Sequence, residues 1–122
     1  MALALDDILT AYGAAWCEAD ADKRAELLEL CWADNGVYAD PQNLAEGRAA
    51  VSAMIGRFLK AVPGAEIRLV SGVSEHHGRI FFRWHMIAPD GSVAINGYDF
   101  GRIGADGRLT EINGFFGDPP AI

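Results

Sequence analysis

Residues 79–117 read RIFFRWHMIAPDGSVAINGYDFGRIGADGRLTEINGFFG, and their pattern decides what kind of fold the chain can adopt. Three stretches rich in β-branched and aromatic residues, 79–88, 92–103 and 108–116, are separated by Asp90-Gly91 and Asp106-Gly107. Asp-Gly between such stretches is a strong signal for a hairpin with a two-residue loop. A loop of that length sets the pairing. The first places Phe82 opposite Asp99, Trp84 opposite Gly97 and Met86 opposite Ile95; the second places Asp99 opposite Gly114 and Gly97 opposite Phe116.

Side chains alternate between the two faces of a strand. One face therefore carries Phe82, Trp84, Met86, Val93, Ile95, Gly97, Asp99, Ile112, Gly114 and Phe116, with Asp99 its single charged member. The other carries Arg83, His85, Asn96, Tyr98, Glu111, Asn113 and Phe115. A bulge or a longer loop would exchange the faces. Gly97 and Gly114 leave gaps beside Asp99, room for a ligand. A carboxyl group among apolar side chains is costly when ionised, so its pKa should rise and favour the protonated form, a hydrogen-bond donor. Asp99 has two readings, a group aimed at a ligand or one satisfied by a backbone amide or a water.

Upstream of the meander the period changes. Residues 66–73, EIRLVSGV, alternate as one more strand. Before them the apolar spacing is helical. Leu5, Ile8, Leu9, Tyr12 and Trp16 form one stripe on a first helix, about 4–19; Asp20 and Asp22 break and cap. A second helix carries Leu27, Leu28, Leu30 and Cys31 and ends before Asn35-Gly36. A short strand, 37–39, runs into Asp40-Pro41 and a polar loop. A third helix, about 48–62, presents Val51, Met54, Ile55, Phe58 and Leu59 on one face until Pro63-Gly64 stops it. Helices followed by an antiparallel meander mean α+β, with the helices covering the apolar face of a curved sheet. The chain, 1–122, reads as a single domain without internal repeats.

Bulk properties narrow the function. A chain of 122 residues that is 51% apolar can bury a real core, roughly two thirds of its unfolded surface. A net charge of −7 disfavours nucleic acid and anionic membrane surfaces. No stretch approaches the ~20 apolar residues of a spanning helix. MALALDDILT meets Asp6 and Asp7 too early for a signal peptide, so the expectation is a cytoplasmic protein. Cys17 and Cys31 lie in helical patterns among apolar neighbours and read as free buried thiols.

Candidate chemistry concentrates in few residues. Asp40 either shapes a turn and caps the third helix region, or is a base at a pocket mouth. Tyr12 is either a core tyrosine or a hydroxyl facing the pocket between helices and sheet. Trp16, Met54, Phe58, Phe82, Trp84, Met86, Ile112 and Phe116 read as core and pocket wall together, the apolar lining a small-molecule site needs. His85 falls on the outer face opposite Asn96. His76-His77-Gly78 reads as a solvated turn, and no metal-ligand spacing is present.

The stretches AYGAAWCEAD, LLELCWADNGVYADP, EGRAAVSAMIGRF and YDFGRIGADGRLTEINGFFG resemble the SnoaL-like and ketosteroid-isomerase-like proteins of the nuclear transport factor 2 superfamily, over nearly the whole chain. The resemblance implies an NTF2-like conical barrel, with three N-terminal helices packed on a curved, mainly antiparallel sheet around an apolar pocket. It also implies roles. The general base of steroid isomerases is the Asp of an Asp-Pro after the first strand, here Asp40. Their oxyanion tyrosine sits on the first helix, here Tyr12. Their oxyanion Asp sits on the penultimate strand, here Asp99, and that neutral-carboxyl chemistry comes with the resemblance.

The function expected is an isomerase or lyase acting on a small hydrophobic carbonyl compound, steroid- or polyketide-like, without metal or organic cofactor. The alternative is a non-catalytic domain of the same fold that binds a hydrophobic ligand or merely dimerises. Hydration or epoxide opening would want an Arg beside the strand Asp, where the pairing puts Gly97. The outer face, with Arg83, His85, Tyr98 and Phe115, is the surface expected to form a homodimer.

Overall fold

The computed structural model describes residues 3–122; Met1 and Ala2, which begin the stretch read against a signal peptide, lie outside them. Three helices, α1 (Leu5–Ala15), α2 (Ala21–Cys31) and α3 (Arg48–Ala61), pack on one face of a seven-stranded sheet. Its strands are β1 (Trp32–Asp40), β2 (Asn43–Glu46), β3 (Glu66–Leu69), β4 (Ser74–His76), β5 (Arg79–Ile87), β6 (Val93–Ile103) and β7 (Leu109–Phe116). The order is β2-β1-β7-β6-β5-β3, with β4 also on β5. All pairs are antiparallel except β1 with β7. The curved sheet is open, with β2 and β3 at its two edges, and the helices rather than further strands complete the cone.

The α1 stripe buries Ile8, Leu9 and Tyr12 as its spacing requires. Asp20 caps α2, its carboxylate accepting from the Asp22 and Lys23 amides. The stop at Pro63 also works as expected. A residue before proline is driven out of the αR region, and Val62 has φ −129° and ψ 67°.

Several boundaries differ from the expectation. Helix α1 ends at Ala15, short of 19, which leaves Cys17 exposed while Cys31 is buried. Helix α2 ends at Cys31, and β1 begins at once with Trp32. Tertiary contacts decide this. Trp32 is fully buried, stacks on Tyr12 at 5.7 Å and donates from Nε1 to the Gly36 carbonyl at 3.0 Å. The segment after Asp40 is a hairpin, with Asp40 paired to Asn43 around Pro41-Gln42, rather than a bare loop. Residues 66–73 are split, the strand ending at Leu69.

The two Asp-Gly hairpins differ from the expected geometry in the same way. Each loop is one residue longer than expected. The Ala88 amide bonds to Ser92 O and the Gly104 amide to Arg108 O, with Gly91 and Gly107 at φ 88° and 87°. That is a type I turn closed by a left-handed glycine. Each strand pair then bulges once, between Met86/Ile87 and between Arg102/Ile103. Loop and bulge cancel. Phe82↔Asp99, Trp84↔Gly97, Asp99↔Gly114 and Gly97↔Phe116 all pair as the shorter loops predict. The displacement is confined to the stretch between loop and bulge, where Val93, expected inside, is 51% exposed. A two-residue loop with both positions at positive φ does occur, at His77-Gly78.

Candidate functional site

Between the helices and the sheet lies a cavity of about 420 Å³, within the range of small-molecule sites. Buried residues make its floor: Tyr12 and Trp16 from α1, Tyr38 from β1, Met54 from α3, and Phe82, Trp84 and Asp99 from the meander. Asp40, Phe58, Met86 and Phe116 line it at intermediate burial. Ile112 does not line it. Paired to Tyr38 and Gly101 on the floor of the sheet, it is wholly buried in the core beneath.

Asp99 sits on β6 as the register requires, 4% exposed. Its Oδ1 accepts a hydrogen bond from Trp84 Nε1 at 3.0 Å. Burial pushes its carboxyl up to about 7, opposed by the Trp84 bond and reinforced by the neighbouring Asp40. Near neutrality a large share of Asp99 is therefore protonated, with Oδ2 the oxygen left to carry the proton. The gap at Gly97 is filled: the Trp84 indole occupies the place a Cβ there would need. The missing Cβ is what lets the indole lean across to Asp99. The place beside Gly114 is not an open gap either, because three site residues close around it. A Cβ there would lie 3.1 Å from Asp99 Oδ1, 3.3 Å from Asp40 Cβ and 3.6 Å from the Tyr38 hydroxyl.

Tyr12 is 2% exposed, and its hydroxyl has no hydrogen-bond partner among the described residues. Burial lifts its pKa well above that of an ordinary phenol, and the Asp99 charge adds to this, so it stays a neutral donor. A buried donor without an acceptor is uncommon and calls for a reason. In a cavity wall that reason is a ligand atom or a water.

Asp40 ends β1 with both carboxylate oxygens held. Oδ2 accepts from the Tyr38 hydroxyl at 2.7 Å, Oδ1 from the Gln42 amide at 2.8 Å, and Asn43 Nδ2 reaches both at 3.2 and 3.3 Å. The bond to Gln42 is the turn-shaping role of Asp before Pro. It coexists with the pocket position and does not cap α3, whose N-cap is Gly47. Tyr38 belongs to the site and was absent from the sequence-derived set. The signal was present, since residues two apart on a strand share a face and Tyr38 precedes Asp40 by two. Burial, and then the nearby Tyr12 and Asp40, raise the Tyr38 pKa and keep it neutral. Gln42, Asn43, Arg57, Ile67 and Leu69 are further lining residues that periodicity did not mark, while Ile95 lines the cavity from the inner face that alternation gave it.

Among the described residues no cluster of three His, Cys, Asp or Glu side chains has the arrangement of a metal site. His85 lies opposite Asn96 on the outer face. No described helix is long and apolar enough to cross a membrane.

The profile of the SnoaL-like domain matches residues 11–112. No curated protein matches the chain. Solved structures do. A candidate isomerase of the SnoaL-like family from Agrobacterium tumefaciens is 32% identical, with a TM-score of 0.85, the match covering 91% of this chain and 95% of that one. A protein with a ketosteroid isomerase-like fold from Catenulispora acidiphila, solved in complex with trimethylamine, is 15% identical over 88% of this chain and 82% of that one, TM-score 0.69. A candidate polyketide cyclase from Sinorhizobium meliloti is 18% identical over 88% and 93%, TM-score 0.70. At such identities the last two are likenesses of fold. The chain belongs to the SnoaL-like family and has the α+β cone of the NTF2-like proteins.

Proposed function

We propose that the chain is a cofactor-independent isomerase or lyase acting on a small, largely apolar carbonyl compound, steroid- or polyketide-like. Asp40 takes a proton from the carbon alpha to the carbonyl. The C–H electron pair moves into the enolate, whose oxygen accepts hydrogen bonds from Tyr12 and protonated Asp99. In the isomerase case Asp40 returns the proton to a conjugated carbon, so no net oxidant or reductant is needed. The single observation that carries the reading is the Tyr12 hydroxyl, buried and unpartnered in a cavity lined also by Asp99 and Asp40. Two such donors form an oxyanion site, where each is worth about 10²–10³ in rate.

The test is an absorbance assay for conversion of a β,γ-unsaturated cyclic ketone to its conjugated isomer, with wild type beside Asp40→Asn. Turnover should fall by about 10²–10⁴ in the variant, the usual worth of a general base, while ketone binding persists. Equal turnover in the two proteins would sink the base assignment.

A second reading rests on a different observation. The Asp40 carboxylate is fully engaged by Tyr38, Gln42 and Asn43, as a purely structural turn residue would be. A non-catalytic binder of hydrophobic ligands fits that as well. Bound ketone without turnover in either protein selects it.

We propose also that the protein is a homodimer through its outer sheet face. What supports this is a row of aromatics there. Phe81 stacks on Phe100 at 4.5 Å, and Phe100 and Phe115 are 47% and 54% exposed.

A further inference from the structure

Ten basic side chains serve a chain of net charge −7, and the fate of its arginines is uneven. Arg48, Arg68 and Arg108 face Asp34, Glu66 and Asp106. Arg24, buried, donates to Ser52 and to the Glu18 and Ala19 carbonyls. Arg79 bonds to the His77 carbonyl, and Arg83 to Asn96 while lying over the Tyr98 ring. Arg102, opposite Glu111 on the ladder, makes no ion pair and lies outside the cavity lining. Arg57 is left. Among the described residues it makes neither an ion pair nor a hydrogen bond, yet it is the one basic side chain in the cavity lining.

Its place in that lining is specific. Buried residues, Tyr12, Tyr38 and Asp99 among them, form the floor, whereas Arg57 and Gln42 are exposed and therefore stand at the mouth. Helix α3 supplies both Met54, 2% exposed at the floor, and Arg57, three residues on and so on the same helix face. A molecule whose carbonyl reached Tyr12 and Asp99 would lay its far end beside the guanidinium. The Asp40 carboxylate and the buried, apolar floor disfavour a negative charge deeper in.

We infer that the ligand is an apolar carbonyl compound bearing a carboxylate at the end remote from the carbonyl, and that Arg57 is the specificity-determining residue that receives it. The inference deepens the proposed function and rests on it for the direction in which the ligand lies. A guanidinium is suited to the role because its planar fork matches a carboxylate.

The experiment is a binding comparison that requires no turnover. The probes are 2-naphthylacetate and its methyl ester, titrated calorimetrically against wild type, Arg57→Gln and Lys60→Gln. Lys60 lies on the same helix outside the lining, so its variant removes one charge from α3 without touching the mouth. Wild type and Lys60→Gln should prefer the carboxylate by about tenfold, less at high salt. Arg57→Gln should bind both probes alike, with the ester's affinity unchanged. A preference that survives in Arg57→Gln, no preference in wild type, or failure of both probes to bind overturns the inference. The outcome is separable from the reaction itself. Discrimination without ketone turnover keeps the anion site and removes the isomerase, whereas ketone turnover without discrimination does the reverse.

Discussion

At the scale of single residues the site turns on the protonation of Asp99. In the unfolded chain its pKa is near 3.8; in the fold burial raises it to about 7. Between those values the folded state binds more protons than the unfolded one, so stability falls as pH rises through that window. At about 1.4 kcal/mol per unit the Asp99 contribution is on the order of a few kcal/mol, fully present as a penalty only above pH 7. Asp99→Asn keeps the shape and a donor and removes the ionisation. Thermal melts at pH 5 and pH 8 should therefore show the variant gaining on wild type as pH rises, with the larger advantage at pH 8. The proposed donor role carries a matching kinetic signature. Turnover should fall as pH rises through about 7 in wild type, and that limb should vanish in Asp99→Asn; an unchanged profile would remove Asp99 from the oxyanion site. That Asp99 is buried was legible from alternation alone. That Trp84 donates to it was not, because the bond runs diagonally between strands and depends on how an indole tilts.

The element scale is where sequence rules and packing met and partly disagreed. Asp-Gly correctly marked both hairpins, but the turn formed at each is the longer one, in which glycine supplies a left-handed residue. The register survived because each strand pair bulges once and restores the phase. Patterning of the long apolar face, with Asp99 and Gly114 needing the same side, outweighs the local preference of two loop residues. Gly97 shows how tightly β5 and β6 depend on this register. A methyl group there would overlap the Trp84 indole. Gly97→Ala should cost about 1–3 kcal/mol, the range for an overpacked core, and should also break the Trp84–Asp99 bond. Denaturant unfolding reads the first effect. A shifted Asp99 titration, followed by the carboxyl carbon resonance, reads the second. Gly72, by contrast, has open space around it, and no such effect is expected there.

For the whole molecule, the open curved sheet leaves one face to the helices and one to its surroundings. If the outer aromatics are covered by a second copy, sedimentation equilibrium should give the mass of two chains, and the pair Phe100→Glu with Phe115→Glu should give that of one. A wild type that sediments as a single chain would overturn the dimer. The sequence by itself determined the class of fold, the order of its helices and long strands and which residues of the meander share the inner face, because period and turn chemistry are local and repeat along the chain. It also placed Tyr12, Asp40 and Asp99 on elements that converge. Only the tertiary structure decided that Trp32 ends α2 early, that Trp84 holds Asp99, that Tyr38 holds Asp40, that Ile112 lies beneath the cavity rather than on its wall, and that Arg57 stands unpaired at the mouth. Those facts join residues far apart in the chain, or depend on the direction a large side chain takes. They are set by packing density and by the pairing of buried polar groups, and neither leaves a periodic trace in the sequence.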